Sequence, residues 1–445
     1  MILAMTNLFR KANYELYEVG GHLRDELLGR ESHDIDLTTN ACPEEILRIL
    51  REGGYEHIYT VGIAYGTVCV VVDGQEIEIT TYRDEVYPSG SRKPIVTFGD
   101  NLIQDLFRRD FTINAMARDP LTGEIIDPLG GLVDLRARRI RGIINDQDRF
   151  REDPLRMLRA VRFSCQLGFT LDVRIREPEL LANISQERIQ EELNKILLSS
   201  TPAKGIDLLV DLGLMQYIIP EILDMVGMGQ GRSHFLDVYE HTLNVLHRGS
   251  CRDHGDDNLT FRLACLLHDI GKPATRTYER EDYRFFGHHT IGGPKAEEIL
   301  RRLKYLVDTQ KRVGLLVSEH MTPLVHFDPT PRALRRFIRR VGSENLEMLF
   351  DLNVCDVRST RNDDIGFLND IYEEIGEALL DQPEAMCSPL TGQEIMACAG
   401  IPPGRQVGEI KNQLTEMVVE GILMQDDKQT AFAIVRNFVN GARRQ

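Results

Sequence analysis

The 445-residue chain is long enough for about two to four domains. Hydrophobic residues make up 42% and charged residues 27%, a balance that excludes wholesale disorder and fibrous repeats. A formal charge of −16 excludes a surface coated with non-specific nucleic-acid affinity but leaves room for a local basic track. The eight cysteines form no C-x-x-C pair and read as thiols of a reducing compartment. No apolar run approaches the roughly 20 residues that span a bilayer, and residues 1–10 are too short and lightly apolar for a secretory signal. A cytoplasmic protein with no membrane partner is expected.

In chain order, residues 17–19, 66–72 and 75–81 have the β-branched character of strands. Residues 41–52 and 102–107 have helical spacing, the first introduced by Asn40 and Pro43. From Asp146 onward strand signals nearly vanish. Helices are predicted over 153–167, 177–198, 203–216, 237–248, 259–269, 294–306, 309–319, 331–340, 344–358, 365–380, 391–398, 406–420 and 427–440. The predicted class is therefore α+β: a small mixed-sheet head followed by an all-α remainder. Breaks are expected at 227–233, 249–258 and 381–389, giving domains 1–140, 141–226, 227–380 and 381–445.

The first chemical constellation is Gly20-Gly21-His22-Leu23-Arg24-Asp25 followed by Asp34-Ile35-Asp36. Residues i and i+2 of a strand share a face, so Asp34 and Asp36 point the same way. Two carboxylates held together repel each other unless a cation lies between them, and hard oxygen ligands suit Mg²⁺. Glu78, on the strand 76–81, would add a third carboxylate. Gly20-Gly21 ahead of a helix offers backbone N–H groups as a phosphate cradle, with Arg24 adding a fork of donors. Together these parts describe nucleotidyl transfer. An exposed strand end and an ordinary turn are the plainer reading of each piece alone.

The second constellation is Asp105-Leu106-Phe107-Arg108-Arg109-Asp110-Phe111-Thr112-Ile113-Asn114, either a nucleotide-binding set or an internal salt-bridge network. Asp153, Arg156, Arg159 and Arg162 then recur every third residue behind Pro154, so each lies beside the next on one helical stripe. A carboxylate beside a guanidinium can read a base edge that carries an amine next to an acceptor, which favours C and A over U and G. Arg159 and Arg162 would face phosphates. The alternative is that Asp153 caps the helix and the arginines are salt-bridged.

These motifs, in this order over residues 17–170, resemble the class II tRNA nucleotidyltransferase (CCA-adding) and bacterial poly(A) polymerase family. The resemblance implies a polymerase-β-like head with two-metal catalysis, an elongated helical neck, body and tail, and selection of CTP and ATP by protein side chains. It implies Asp34, Asp36 and Glu78 as catalytic, with Mg²⁺ on the aspartates. Gly20, Gly21, Arg24, Arg108, Arg109, Asp110, Asn114, Asp153, Arg156, Arg159 and Arg162 would bind nucleotide. The tRNA acceptor end and upper half would be the partner, with no DNA and a monomeric state. Gln104 departs from the acidic residue common there in the family, and His22 sits at a variable position. Residues 82–98 match a loop that lets the pocket switch from C to A, and its near-full length favours complete CCA addition.

His241, His268, Asp269 and Asp356 fall at helical sites around Leu-Leu-His-Asp-Ile-Gly-Lys. Mixed imidazole and carboxylate ligands suit Mn, Ni, Fe or Zn. They resemble the core ligands of an HD phosphohydrolase domain, with His288 and His320 matching additional histidines of some members. That resemblance implies phosphatase or 2′,3′-cyclic phosphodiesterase activity on RNA ends. Residues 390–405, ending in Gly-Ile-Pro-Pro-Gly-Arg405, resemble the family's C-terminal segment. The basic clusters 136–141 and 335–340 could form a phosphate track or merely solvated faces. Alternatives are a poly(A) polymerase, a CC-only or A-only enzyme, or an HD phosphohydrolase with a degenerate RNA-binding head.

Overall fold

The computed structural model describes the chain apart from residues 32–33, 87–94, 144, 232–235, 325–329, 382–386 and 443–445. It forms two compact units, Met1–Leu223 and Asp224–Gln445. In the first, α1 (Ile2–Lys11), β1 (Tyr17–Val19), α2 (Gly20–Leu27), β2 (Asp34–Thr39) and α3 (Pro43–Glu52) precede a run of strands. These are β3 (Ile58–Tyr59), β4 (Thr67–Val72), β5 (Gln75–Thr81) and the hairpin β6 (Arg83–Val86) with β7 (Ile95–Phe98). Helix α4 (Leu102–Phe107), strands β8 (Ala117–Arg118) and β9 (Ile125–Ile126), helix α5 (Gly131–Arg136) and strand β10 (Arg139–Arg141) complete the head. Its sheet runs β3-β4-β5-β2-β1-β8-β9. Within this sheet, among the described residues, only β2 and β5 pair in parallel, in the register Asp34↔Glu76, Asp36↔Glu78.

Alternation decides which way the carboxylates face. Ile35 and Leu37 on β2, with Ile77 and Ile79 on β5, are buried against Ile46, Ile49 and Leu50 of α3 and Met5 and Phe9 of α1. Asp34, Asp36, Glu76 and Glu78 must then project from the opposite face. Asn40 does not introduce α3: its Oδ1 accepts the Glu15 N–H, and Cys42 holds the N-cap position.

Beyond the head come α6 (Asp146–Glu152), α7 (Leu155–Leu167), β11 (Thr170–Asp172), α8 (Gln186–Leu197) and α9 (Pro202–Asp211). The helix expected over 177–198 is two pieces, a 3-10 stretch Pro178–Asn183 and then α8, because Pro178 starts a turn that Ser185 ends. A second core of Leu23, Phe111, Ile113, Ala160, Phe163 and Phe169 joins α2 to α7.

The second unit contains α10 (Val238–Gly249), α11 (Asn258–Leu267), α12 (Lys272–Thr275), the hairpin β12 (Thr277–Glu279) and β13 (Asp282–Arg284), α13 (His288–Arg302) and α14 (Val307–Glu319). Then follow α15 (Pro331–Val341), α16 (Leu346–Val357), α17 (Gly366–Asp381), α18 (Gly392–Ala399), α19 (Arg405–Val419) and α20 (Lys428–Ala442). The last three share their own apolar core, including Ile395, Leu414 and Val435. Helix α13 starts six residues before the predicted 294, with Pro294 inside it. Gly292-Gly293-Pro294 reads as a breaker, yet a Cβ at Gly293 would lie 1.9 Å from Ser318 Oγ, so the small residues serve the close crossing of α13 on α14.

Candidate active site and metal centre

Asp36 stands between two unlike cavities. One, of about 720 Å³, has eight arginines and Lys195 against Asp36, Asp110 and Asp153 in its lining. The other, of about 310 Å³, is lined by Gly21, His22 and five carboxylates: Asp25, Asp34, Asp36, Glu76 and Glu78. The first attracts a polyphosphate; the second attracts a cation. Burial raises the Asp36 carboxyl, opposed by Arg109 and the Gly21 and His22 N–H groups. Burial, with the neighbouring charges of Asp36, Glu76 and Asp34, raises Glu78 as well. Crowded carboxylates whose ionisation is this costly fit a divalent ion among Asp34, Asp36 and Glu78.

The glycine pair serves differently from expectation. The Gly21 and His22 amides bond Asp36, so in this state the N-terminus of α2 orients the Asp36 carboxylate rather than standing open as a cradle. Gly20 has φ +72, and a Cβ there would meet Asp36 Oδ2 at 2.8 Å. No other residue fits that approach.

The arginines are also held. Arg24 forks onto Asp25 at 2.7–2.8 Å and reaches Asn114 Oδ1 at 2.8 Å. Arg108 and Arg109 bond the buried Asp105 at 2.8 and 3.2 Å. Arg159 meets Asp110 at 2.5 Å, and Asn114 Nδ2 donates to the same carboxylate at 2.9 Å. Although burial opposes it, the Arg159 guanidinium and the Asn114 amide hold Asp110 well below the ordinary carboxylate range. Arg162 does not lie open for phosphates: it is buried and paired with buried Glu192 at 3.0 Å. Burial, with Arg159 beside it, pushes its guanidinium down to about 10. Beneath them, Phe163 carries the guanidiniums of Arg24, Arg159 and Arg162 within 4.3–5.4 Å of its ring.

Asp153 and Arg156 both line the cationic cavity but are not paired with each other. Asp153 accepts the Leu155 N–H at 3.2 Å, a capping contact, and Arg188 of α8 at 3.0 Å. Arg156 bonds Glu152 at 3.0 Å and the Arg108 carbonyl at 3.0 Å. Sequence reading missed Arg188 and Lys195, which reach the cavity from a helix 30 residues on and share no local motif with it. Because Arg162 and Glu192 lie in separate helices and are both buried, Glu192→Ala should strand a charge. A loss of about 3–5 kcal/mol is expected, measurable as an earlier thermal transition. Unchanged melting would deny the pair this role.

Both basic clusters are paired in part, while Arg136 and Arg138 stay exposed. Arg139 and Arg141 share Asp134 at 2.5 and 2.7 Å. Arg336 and Arg332 meet Glu420, Arg339 meets Glu416 and Arg340 meets Glu319. The 335–340 cluster thus pairs with glutamates on other elements while Arg336, Arg339 and Arg340 stay exposed. Arg405 lies 2.8 Å from Glu409. The switching loop's centre, 87–94, lies outside the described residues.

In the second unit, the four expected histidines gather around Asp269, with Asp356 beside His241. His268 Nε2 lies 3.2 Å from Asp269 Oδ2, His241 Nε2 3.7 Å, and His288 Nε2 3.3 Å from Oδ1. His241 Nε2 also lies 2.9 Å from Asp356, and His288 and His320 place their Nε2 atoms 3.2 Å apart. Two triads, His241–His268–Asp269 and Asp269–His288–His320, therefore share one carboxylate. Each Nδ1 faces a backbone carbonyl: His241 that of Ser359, His268 that of Cys265, His288 that of Phe285 and His320 that of Val317. A carbonyl only accepts, so Nδ1 carries the proton and the Nε2 lone pairs turn inward. Burial and the neighbouring His288 and His268 push His320 down to about 3, keeping it neutral. His268 Nε2 is buried without a hydrogen bond of good geometry, which fits a metal ion in its place. Gly271 makes this possible, since a Cβ there would sit 2.1 Å from the His288 carbonyl. Lys272, overlooked as a site residue although it closes the motif, lies 2.6 Å from Asp269 Oδ2 and donates to Gln230 at 2.6 Å.

Residues 16–141 match the poly A polymerase head domain, residues 175–225 the "Probable RNA and SrmB- binding site of polymerase A", and residues 238–357 the HD domain. An A-adding tRNA nucleotidyltransferase of Deinococcus radiodurans is 37% identical over 333 residues, 71% of this chain and 75% of the relative. A CC-adding tRNA nucleotidyltransferase of Thermus thermophilus is 33% identical over 441 residues, 94% of this chain and 93% of the relative. The chain belongs to the tRNA nucleotidyltransferase family. A CCA-adding enzyme of Levilactobacillus brevis is 41% identical over 249 residues, which span 58% of that relative. Among solved structures, the CCA-adding enzyme of Bacillus stearothermophilus in complex with CTP superposes with a TM-score of 0.70 at 26% identity, covering 100% of this chain and 98% of that one. As in other members of this family, the head is a mixed sheet with helices and an α-helical remainder follows it, here including an HD domain. Among the described residues no helix is long and apolar enough to cross a membrane.

Proposed function

We propose that this tRNA nucleotidyltransferase builds C, C and A on tRNA 3′ ends in the cytoplasm without a nucleic-acid template, using CTP and ATP. The observation that carries this reading is Asp36 on the border of a cationic cavity and a carboxylate cavity. The arginine side receives the triphosphate, and the acidic side receives the ion and the primer 3′-hydroxyl. Mg²⁺ held by Asp34, Asp36 and Glu78 would lower the hydroxyl's pKa and neutralise phosphate charge. The primer oxygen bonds the α-phosphorus, and the bond to the β-phosphate oxygen breaks, releasing pyrophosphate. The second unit is read as a divalent-metal phosphohydrolase acting on RNA ends.

A partial activity is the second reading. Two relatives matched over most of their length are an A-adding and a CC-adding enzyme, whereas the Levilactobacillus CCA-adding relative is matched over little more than half. Purified protein with tRNA lacking CCA, and each NTP singly and together, decides among them. Complete addition needs both CTP and ATP; CTP alone, ATP alone or an A tail each marks a rival.

Base choice gives a sharper test. Losing one hydrogen bond to a charged partner costs roughly 1.5–3 kcal/mol, or about 10–100-fold in discrimination. Arg156→Ala should therefore raise UTP or GTP incorporation relative to CTP and ATP in a four-way competition. Asp153→Asn should do the same if Asp153 reads the base, but leave selection intact if its task is only to cap α7 and hold Arg188. Unchanged preference in both variants would move base reading to another surface.

A further inference from the structure

Several arginines of the second unit are met by carboxylates, among them Arg312 by Asp257, Arg339 by Glu416 and Arg340 by Glu319. The cleft between α10 and α16 departs from that pattern. A cavity of about 500 Å³ there is lined by Asn244, His247, Arg248, Cys251, Arg252 and Arg358, with no carboxylate in its lining. Arg252 lies 3.3 Å from Asp351, outside the cavity. Arg248 and Arg358 are exposed, and neither has a carboxylate partner among the described residues. In a chain of net charge −16, this is a local concentration of positive charge set into a concave surface.

The lining also says which part of a ligand is recognised. It holds no Phe, Tyr or Trp ring, the broad platforms on which bases most often stack. It offers guanidiniums from two separate helices, an imidazole and a carboxamide, the donors that wrap phosphate oxygens. None of the six metal-ligand side chains lines it, although His241 and Asp356 lie on the same two helices. We propose that this cleft is a phosphate-binding site separate from both metal-ligand clusters, taking the phosphodiesters of an RNA strand or the phosphates of a free nucleotide. Naming RNA as a source rests on the tRNA reading above; the site itself does not.

Cys251 lies exposed in the lining, and Cys387 is an exposed cysteine elsewhere, so maleimide labelling provides a footprint with a reference. The full chain is tested with tRNA lacking CCA and, separately, with inorganic tripolyphosphate. RNA binding here should slow Cys251 labelling several-fold relative to Cys387. The double variant R248E/R358E should abolish that protection and weaken tRNA binding about tenfold or more. Its salt slope should fall by about one to two, while R248K/R358K keeps most of both. Protection by tripolyphosphate but not by tRNA would support the site and assign it to a free nucleotide. Absence of protection by either ligand overturns the proposal, even if R248E/R358E fails to fold. So does wild-type tRNA affinity and salt slope in folded R248E/R358E when tripolyphosphate gives no protection. Nucleotide addition by the wild-type protein is measured on the same tRNA, so failure of the tRNA reading is seen separately from failure of the site.

Discussion

Asp36→Ala is expected to reduce incorporation of both CMP and AMP by at least about 10³-fold while tRNA binding persists. The carboxylate belongs to the face of the β2–β5 pair opposite the one packed on α1 and α3, and it is opposed in register by Glu78. On the proposed mechanism, removing it would take a hard ligand from a site whose ion would contribute several kcal/mol to the reaction, and each 1.4 kcal/mol is tenfold in rate. Its bonds to the Gly21 and His22 amides mean that alanine also frees the start of α2. Asp36→Asn separates the two effects. Its carbonyl oxygen can still accept those N–H groups, but the charge is gone. Primer extension and filter binding on both variants decide the matter, and wild-type extension by Asp36→Asn in Mg²⁺ would sink the assignment.

Asp269→Ala should abolish metal retention in the second unit and with it any divalent-dependent phosphatase or cyclic phosphodiesterase activity, with nucleotide addition largely kept. Asp269 is the one carboxylate common to both triads, so its loss strikes both. His320→Ala touches only the triad with His288 and should leave part of the metal bound. His268→Ala should likewise spare the other triad's imidazoles. Metal content by elemental analysis, the melting shift on adding Mn²⁺ or Ni²⁺, and the two activities form the readout. Equal metal content in Asp269→Ala and wild-type protein would refute the shared-ligand reading. Equal loss of both activities in folded Asp269→Ala would make the metal a structural element of the whole chain.

Features that depend on periods of two and about four residues were legible along the chain. The D-x-D carboxylates share a face because Ile35 and Leu37 between and beyond them must go inward. The helices of the second unit follow from apolar spacing, and the adjacent His268-Asp269 of the HD motif lies where that spacing puts it. Tertiary structure decided the partners of the charges. Arg162 takes Glu192, Asp153 takes Arg188 and Arg159 takes Asp110, across 30 to 49 positions of chain. A guanidinium on its long stem can reach any carboxylate that packing brings near, so spacing along one helix does not predict its partner. The same packing set exposed arginines of 335–340 beside glutamates on other elements and left Arg248 and Arg358 facing solvent.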